Sequence, residues 1–286
     1  MVDLDGRVAV ITGAGDGLGR SHARLLASLG ARVVVNDLGG DRAGGGASSQ
    51  ASDRVVEEIR SAGGDAVANY GNVADEADVR ALIGQAVDTY GRLDIVVNNA
   101  GILRDASFHK MSREDWDAVL KVHLQGSFLV THAAWPVLRE QRYGRVIFTT
   151  SGGGMFGNFG QSNYGTAKMG ILGLMNCLAV EGSRRGILTN AVSPIANTRL
   201  TEDVMPEDQL ETLDPGFVSP VVAWLASEDC KLTGEVIRAG GGAYSRVQYR
   251  VSRGVSLDHI PTVDEFTDHL ERILDMQDAT PGELAL

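Results

Sequence analysis

Short runs rich in β-branched residues alternate with longer segments of helical periodicity along most of this 286-residue chain. The predicted strands are residues 7–12, 32–36, 66–70, 94–98, 145–150, 188–192 and 235–238. The predicted helices are residues 17–29, 50–62, 76–90, 112–140, 162–184 and 218–227. Such alternation is typical of βαβ units, whose right-handed crossovers place helices on both faces of a parallel sheet. We therefore predict an α/β fold: a single doubly wound (Rossmann) domain with a seven-stranded parallel sheet.

The pattern ends after Gly240. We expect a dinucleotide-binding catalytic domain over residues 1–242 and a C-terminal extension over residues 243–286, packed on the same domain or on a partner subunit. The extension holds one amphipathic helical pattern, about residues 263–275. Residues 38–49, LGGDRAGGGASS, are longer than a usual strand-to-helix connection. We interpret them as a surface loop, with a border of the ligand site as the alternative.

Charge and composition exclude several classes of partner. The net charge of −11 opposes binding to nucleic acid or to anionic lipid. Cys177 and Cys230 are far apart in sequence and belong to no CxxC or Cys/His cluster, so we expect neither a disulfide framework nor a metal site. The first residues lack a basic region followed by a long apolar run, and no stretch reaches about 18 apolar residues. We therefore expect a cytoplasmic protein with no membrane partner.

The first predicted strand runs directly into a glycine-rich turn and a helix. Gly13, Gly17 and Gly19 fit GxxxGxG, whereas GxGxxG fails because Leu18 or Arg20 stands in place of its last glycine. Glycine permits positive φ and close backbone approach, and a helix N-terminus offers free N–H groups to a pyrophosphate. The segment therefore predicts a dinucleotide site; the alternative is a tight turn that binds nothing.

Two acidic residues indicate which dinucleotide is bound. Asp37 ends the second predicted strand, where a carboxylate can bind the adenosine ribose hydroxyls and repel the 2′-phosphate of NADP. Asp16, inside the turn, adds a second negative charge or caps the helix. Together they predict NAD as the cofactor. The small residues Asn99, Ala100 and Gly101 end the fourth strand at the same edge and leave room for adenine and ribose.

A serine and a YxxxK pair follow the fifth strand. Ser151 ends that strand, and Tyr164 and Lys168 lie four residues apart, on one face of the predicted helix. A nearby ammonium and a positively charged nicotinamide ring both favour the phenolate of tyrosine. We therefore expect Tyr164 to be the general base for alcohol oxidation and the general acid in reverse. Ser151 would bind the substrate oxygen, and Lys168 the nicotinamide ribose; an exposed helical pair is the alternative.

The chain resembles the short-chain dehydrogenases/reductases in the order of five features, TGxxxGxG, NNAG, Ser151, YxxxK and Pro194. More narrowly, the phrases VVVNDLGGD, NNAGILRDASF, VHLQGSF, FGNFGQSNY and VMPED resemble the (3R)-hydroxyacyl-CoA dehydrogenase part of peroxisomal multifunctional enzyme type 2. The resemblance implies NAD-dependent oxidation of a (3R)-3-hydroxyacyl-CoA, with a fatty acyl or sterol-like side chain. It also implies a homodimer or homotetramer that pairs through the helices predicted at 112–140 and 162–184.

The resemblance adds several site residues. His123 stands where the wider family has an asparagine that holds a proton-relay water, and a satisfied core histidine is the alternative. Asn72 and Val73 replace an Asp-Val pair beside the adenine, and Thr198 matches a contact to the nicotinamide carboxamide. The expected catalytic residues are Ser151, Tyr164, Lys168 and His123. The expected cofactor-binding residues are Gly13, Asp16, Gly17, Leu18, Gly19, Asp37, Asn72, Val73, Asn99, Ala100, Gly101, Tyr164, Lys168, Pro194 and Thr198.

Three other functions stay open at this stage. The same fold and chemistry would suit a steroid (17β-type) hydroxyl dehydrogenase, because an apolar pocket for a fatty chain can also accept a sterol. A 3-ketoacyl thioester reductase is another alternative, although such enzymes usually take NADPH, which Asp37 opposes. A noncatalytic NAD-binding sensor would have no need of Ser151, Tyr164 and Lys168 together. We expect a stand-alone enzyme, because the chain holds no hydratase or sterol-carrier module.

Overall fold

The computed structural model describes residues 2–196 and 213–282. Within them the chain forms two compact units, divided between Ser245 and Arg246. In the part of the chain described, no helix is long and apolar enough to span a membrane. The boundary expected after residue 242 and the packing of the extension stay predictions.

The first unit is built on an eight-stranded sheet with the order β3-β2-β1-β4-β5-β6-β7-β8. Its strands are β1 (Val8–Thr12), β2 (Arg32–Asn36), β3 (Asp65–Asn69), β4 (Ile95–Asn98), β5 (Gly144–Thr149), β6 (Ile187–Pro194), β7 (Val236–Gly240) and β8 (Ala243–Val247). The first seven pair in parallel, which confirms the predicted parallel sheet. The predicted count of seven omitted β8. Gly241 and Gly242, with φ of 54° and 79°, make the two-residue turn before it, and a turn this short joins antiparallel neighbours.

Helices cover both faces of the sheet, as predicted for a doubly wound fold. They are α1 (Gly17–Ser28), α2 (Gln50–Ser61), α3 (Glu76–Tyr90), α4 (Arg113–Leu120), α5 (Gly126–Gln141), α6 (Gly152–Phe156), α7 (Ser162–Ser183) and α8 (Ser219–Ala226). The predicted single helix over 112–140 is wrong in one respect: a π-helical turn, Lys121–Gln125, separates α4 from α5. Such wide turns are frequent at functional sites, because they redirect a side chain. The buried residue of this turn is His123.

The order of the strands creates a crevice at the carboxyl edge of the sheet. From β1 the chain moves outward through β2 to β3, then crosses back to β4 on the other side of β1. The loops after β1 and β4 therefore diverge, and ligands of open α/β sheets bind at such a reversal. All residues of β1, β4 and β5 are buried. Each buried Val or Ile there contributes about 1.5–3 kcal/mol, so this edge rests on the most stable part of the molecule.

The amino edge of the same sheet is held by a charge cluster around Asp94. This fully buried carboxylate accepts hydrogen bonds from Arg7 (3.0 Å), from the amide of Val8 (3.0 Å) and from both the Nε and Nη2 atoms of Arg92 (2.8 and 2.7 Å). The Tyr143 ring lies between two guanidinium groups, with Arg7 4.0 Å and Arg145 4.5 Å from its centroid. The negative charge of Asp94 is thus paired with arginine side chains at this edge.

The second unit contains a small antiparallel pair, β9 (Arg250–Val251) with β10 (Thr280–Pro281). The single amphipathic helix predicted near residues 263–275 is instead two short helices, α9 (Val263–Asp268) and α10 (Leu270–Leu274). Thr262 caps α9 by accepting a hydrogen bond from the Glu265 amide (3.2 Å).

Candidate active site

A cleft of about 300 Å³ opens at the carboxyl edge, where the chain reverses direction between β1 and β4. Ten of the residues predicted to bind the cofactor line it: Gly13, Asp16, Gly17, Leu18, Asp37, Asn72, Val73, Asn99, Ala100 and Gly101. The structure thus brings predicted residues from four separate sequence segments to one cavity. Gly19, Tyr164, Lys168 and Pro194 lie outside its lining, and Thr198 lies outside the described residues.

The glycine-rich turn lies against the end of β4. Gly13 has a φ of 62°, and a Cβ atom there would lie 2.7 Å from the Cα atom of Ala100, so only glycine fits. A Cβ atom on Gly19 would lie 2.1 Å from the Gly13 carbonyl oxygen. Gly19 therefore lets the start of α1 pack closely on the turn, and Gly13 keeps the turn open to a ligand. This shape fits a dinucleotide, whose pyrophosphate needs a close backbone approach at a helix N-terminus.

Asp37 is held in place by backbone amides. Its Oδ2 atom accepts a hydrogen bond from Gly15 (2.8 Å) and its Oδ1 atom from Gly39 (2.7 Å), so the carboxylate is bound by neutral donors. Asp16 occupies the N-cap position of α1, but its side chain makes no capping hydrogen bond. Arg54 donates to the carbonyl oxygen of Gly15 (3.0 Å), the residue whose amide binds Asp37.

The residues after β3 and β4 shape the inner wall of the cleft. Asn99 donates from Nδ2 to the carbonyl oxygens of Thr12 and Gly13, both at 3.0 Å, and so ties the two loops together. Asn72 accepts a hydrogen bond from the Ala74 amide (2.9 Å). The side-chain oxygen of Asn72, which the resemblance places beside the adenine, is therefore already partly engaged, while Val73 is buried next to it.

The glycine-rich loop, residues 38–49, was interpreted as a surface loop, and the structure favours the alternative. Five of its residues line the cleft: Leu38, Gly40, Asp41, Arg42 and Gly44. The Asp41 carboxylate accepts hydrogen bonds from the amides of Ala43 (2.9 Å) and Gly45 (2.8 Å), which closes the loop on itself. The loop is thus both exposed and one wall of the site. Its unusual length was the signal available in the sequence.

Ser151, Tyr164 and Lys168 converge at the end of β5. Ser151 caps α6 by accepting a hydrogen bond from the Gly153 amide (3.1 Å), and its side chain acts to lower the pKa of the Tyr164 phenol. Lys168 is buried, donates to the carbonyl oxygen of Thr149 (2.6 Å) and has its Nζ atom 5.6 Å from the centroid of the Tyr164 ring. The predicted spacing of four residues does place tyrosine and lysine on one face of α7. The three side chains form one cluster.

Burial dominates the electrostatics of this cluster. It raises the pKa of the Tyr164 phenol, an effect that the hydrogen bond from Ser151 opposes and the charge of Asp105 reinforces. Burial also lowers the pKa of the Lys168 amine to about 7. Burial is thus the largest influence on the pKa of Tyr164, because a charged group is costly in an apolar environment, and the expected joint effect of the ammonium and a nicotinamide ring stays a prediction. Tyr164 holds its proton at neutral pH.

His123 is buried against the same tyrosine. The two rings meet edge to face, with centroids 5.2 Å apart at 89°. The Nε2 atom lies 2.8 Å from the carbonyl oxygen and 3.0 Å from the amide of Ile102, and within the described residues the Nδ1 atom has no hydrogen-bond partner. Burial, then the charge of Lys168, lowers the pKa of His123 to about 3. The imidazole is neutral, and one buried nitrogen is left to bind water or ligand.

A family model, described as short chain dehydrogenase, matches residues 7–209. The chain belongs to the short-chain dehydrogenase family. It is 52% identical over 279 residues to a Mycobacterium tuberculosis protein named as a short-chain type dehydrogenase/reductase, and the match covers 98% of each chain. It is 49% identical to mouse peroxisomal multifunctional enzyme type 2, over 97% of this chain and 38% of that protein. The full-length structure of the Drosophila melanogaster enzyme of the same name superposes with a TM-score of 0.81 at 40% identity, over 100% of this chain and 48% of that one.

These relatives confirm the resemblance found in the sequence. This short-chain dehydrogenase is an oxidoreductase that uses a nicotinamide cofactor, NAD or NADP, and a small-molecule substrate. Its likeness to the two multifunctional enzymes concerns less than half of their length. Activities that those larger proteins owe to their remaining regions do not follow for this chain.

Several residues of the site were missed by the sequence reasoning. Asn163 is fully buried and precedes Tyr164, and its Oδ1 atom accepts a hydrogen bond from the Tyr164 amide (2.7 Å). Asp105 accepts a hydrogen bond from Gln161 (2.8 Å) near the same phenol. On the other side of the cleft, Arg104 and Lys121 belong to the lining. In the sequence, only the position of Asn163 beside Tyr164 indicated a role in the site. The contacts of Asp105, Arg104 and Lys121 depend on tertiary structure.

Proposed function

We propose that this short-chain dehydrogenase oxidises a (3R)-3-hydroxyacyl-CoA to the 3-ketoacyl-CoA with NAD⁺ as the electron acceptor. The observation that carries the reaction type is the cluster of Ser151, Tyr164 and Lys168 beside a cleft shaped for a dinucleotide. The substrate class is supported by the likeness to peroxisomal multifunctional enzyme type 2. It is supported also by the sequence phrases that resemble the (3R)-hydroxyacyl-CoA dehydrogenase part of that enzyme.

The cleft supports NAD rather than NADP. Gly13, Gly17 and Leu18 would hold the pyrophosphate, and Asp37 would bind the adenosine ribose. Because Asp37 is held by two amides and not by a cation, its negative charge would repel a 2′-phosphate. When bound, the nicotinamide accepts a hydride from the carbon that carries the hydroxyl group.

The protein residues manage the proton. Ser151 would bind the substrate oxygen and hold it next to Tyr164, which takes the proton in oxidation and returns it in reduction. Since burial raises the pKa of Tyr164, phenolate forms only when positive charge near the ring outweighs burial. Lys168 can supply that charge, because a pKa of about 7 lets it gain or lose a proton at neutral pH.

His123 would extend the path of that proton. Its unpartnered Nδ1 atom is buried, and its ring touches Tyr164. A water bound there could receive a proton from the site. We propose that His123 serves the relay in place of the asparagine found in the wider family.

Exposed aromatic side chains support an apolar substrate. Phe156 and Phe159 lie on the segment between Ser151 and Tyr164 and are 72% and 88% exposed. Phe108 is 78% exposed, and its segment is joined to that one by the hydrogen bond from the Ala106 amide to the Gly160 carbonyl oxygen (2.9 Å). A fatty acyl chain or a sterol side chain could cover such rings. The same observation favours a steroid hydroxyl as the second candidate substrate.

A steady-state comparison tests the proposal. We would measure kcat/KM for 3-hydroxyacyl-CoA esters of several chain lengths, for both enantiomers and for free sterols, each with NAD⁺ and NADP⁺. The (3R)-acyl-CoA esters with NAD⁺ should give the highest values. If a free sterol gives a higher kcat/KM than every CoA ester, the substrate is a sterol and the acyl-CoA proposal fails. Tight NAD binding with no turnover of any alcohol would identify a noncatalytic sensor.

The assembly and location of the protein stay predictions. We propose a homodimer or homotetramer that pairs through α5 and α7, because Phe128, Met169 and Val180 on these helices are 45%, 39% and 77% exposed. Sedimentation analysis of the wild type and of Phe128→Asp would test this. The cytoplasmic location expected from the sequence is likewise untested, and the mouse relative is named as peroxisomal.

A further inference from the structure

One short segment joins the two halves of the site. Residues 102–106, here called the bridging segment, leave the carboxyl edge of the sheet after β4 and Gly101. We propose that the bridging segment couples ligand binding at the adenosine end of the cleft to the position of Tyr164, with Arg104 and Asn163 as positioning residues. The inference rests on the proposed cofactor site and adds to it a link between cofactor binding and catalysis.

On the cofactor side, the bridging segment holds the glycine-rich loop, residues 38–49. The Leu103 amide donates to the carbonyl oxygen of Arg42 (3.0 Å), and the Nε atom of Arg104 donates to that of Ala43 (2.9 Å). The side chain of Ile102 packs on Gly44, where an added Cβ atom would lie 3.1 Å from its Cδ1 atom. Because this loop is one wall of the cleft, a ligand that orders the loop also acts on the bridging segment.

On the catalytic side, the bridging segment holds Asn163. The buried Nδ2 atom of Asn163 donates to the carbonyl oxygen of Arg104 (2.9 Å) and to that of Asp115 in α4 (3.3 Å). Its Oδ1 atom accepts from the Tyr164 amide (2.7 Å). That amide lies in the first turn of α7, where backbone N–H groups have no partner within the helix. Asn163 therefore fixes the Tyr164 backbone relative to Arg104.

Three further residues of the bridging segment contact the catalytic side. Ile102 bonds His123, whose ring touches Tyr164; Asp105 bonds Gln161; and the Ala106 amide donates to Gly160. Within residues 102–106, the atoms that make these contacts are only a few covalent bonds from the atoms that contact the glycine-rich loop. A displacement of the bridging segment therefore changes its contacts with the glycine-rich loop and its contacts with the residues around Tyr164. Coupling through a contiguous network requires such shared contacts.

Hydrogen exchange with AMP as the ligand separates this coupling from direct contact. AMP fills the end of the cleft near Asp37 but has no nicotinamide that could touch Tyr164. In the full wild-type chain, saturating AMP should slow amide exchange in residues 38–49 and also, by about fivefold, in residues 160–166. In Arg104→Met, which keeps the aliphatic stem but removes the hydrogen bond to Ala43, the effect on the loop should stay and the effect on residues 160–166 should fall to less than half. Arg113→Met, an exposed arginine of α4 that pairs with Asp117, is the matched control and should behave as wild type.

A kinetic measurement distinguishes positioning from simple support of the loop. Arg104→Met should lower kcat as well as raise the KM for NAD, each about fivefold, whereas a residue that only holds the loop would change KM alone. Asn163→Ser should lower kcat with a smaller change in KM. Arg104→Lys should recover part of both losses.

Three results would overturn the inference. The first is a wild-type protein in which AMP protects the loop but leaves residues 160–166 unchanged. The second is an Arg104→Met protein that keeps the remote protection and an unchanged kcat. The third, protection of no segment by either AMP or NAD, would overturn the proposed cofactor site itself, and it is recognised by the absence of any effect on the loop.

Discussion

The two edges of the parallel sheet hold similar residues in opposite electrostatic states. At the amino edge, Asp94 pairs with two arginines, and Tyr143 lies between two guanidinium groups. At the carboxyl edge, Asp37 is bound by backbone amides, and Lys168 donates to a neutral carbonyl oxygen. Charges that are matched within the protein stabilise it. Charges held by neutral groups stay available to a ligand.

The carboxyl edge holds two buried groups whose charged forms are costly. Burial lowers the pKa of Lys168 to about 7 and that of His123 to about 3, and in the described residues the Nδ1 atom of His123 has no hydrogen-bond partner. Unpaired buried polar groups are expensive and are therefore retained mainly where function needs them. We expect changes at the carboxyl edge to affect chemistry, and changes at the amino edge to affect stability.

The largest effect should come from Tyr164, with Tyr143 as its control. Tyr164→Phe removes the proton donor and acceptor and should lower kcat about 10³-fold, because general acid and base catalysis contributes about 10²–10⁴-fold. Binding of NADH, followed by its fluorescence, should stay within a factor of about three. Tyr143→Phe is the matched control: its hydroxyl oxygen is buried and has no hydrogen-bond partner among the described residues, so turnover should be unchanged. Equal losses in both variants would contradict the assignment of the two edges.

The second largest effect should be a loss of stability caused by a substitution at the amino edge. Asp94→Asn removes the charge that Arg7 and Arg92 share, and should lower the free energy of unfolding by about 3 kcal/mol. Below the unfolding temperature, kcat/KM should change little. Urea unfolding followed by circular dichroism measures the difference. Glu228→Gln, which removes a 65% exposed partner of the same Arg7, should cost less than about 1 kcal/mol.

Local patterns in the sequence were sufficient for the framework and for the central residues. The β-branched runs predicted seven strands because a parallel sheet buries both of its faces, and Tyr164 and Lys168 followed from the geometry of a helix. Asp37 followed from its place at a strand end. Such signals depend only on near neighbours in the chain. These signals can therefore be recognised without a structure.

Features that depend on tertiary packing were not predicted. The π-helical turn at Lys121–Gln125 accompanies the contacts of His123 with Ile102, 21 residues away in sequence. The raised pKa of Tyr164 results from burial, which no spacing encodes. The wall formed by residues 38–49 has no hydrophobic periodicity from which its position could be inferred.

The third effect concerns the pH dependence of stability. The unfolded state binds a proton at His123 near its ordinary pKa of about 6.5, whereas the folded state binds it only near pH 3. Stability is therefore lost as the pH falls from about 6.5 towards 3. In His123→Asn, the loss of unfolding free energy between pH 7 and pH 5 should be smaller than in wild type by about 2 kcal/mol. Urea titrations at both values measure this.

A second buried histidine provides the control for that experiment. His22 belongs to α1, away from the catalytic cluster, and its Nδ1 atom lies 2.8 Å from the hydroxyl of Ser219 in α8. Burial lowers the pKa of His22 to about 3 as well. His22→Asn should reduce the acid loss of stability by a similar amount but leave the pH profile of kcat unchanged. If both variants alter that profile equally, His123 has no special role in the proton path.

The smallest effect should be the change in cofactor preference at Asp37. Asp37→Asn keeps the volume of the side chain and removes its charge, so the ratio of kcat/KM for NADP to that for NAD should rise about tenfold, or about 1.4 kcal/mol. Stability should change little, because an amide oxygen can still accept a hydrogen bond from Gly15 or Gly39. Asp41→Asn removes another carboxylate that lines the same cleft and should change the ratio less. If the two variants change it equally, the total charge of the cleft selects the cofactor, and the position of Asp37 at the end of β2 does not.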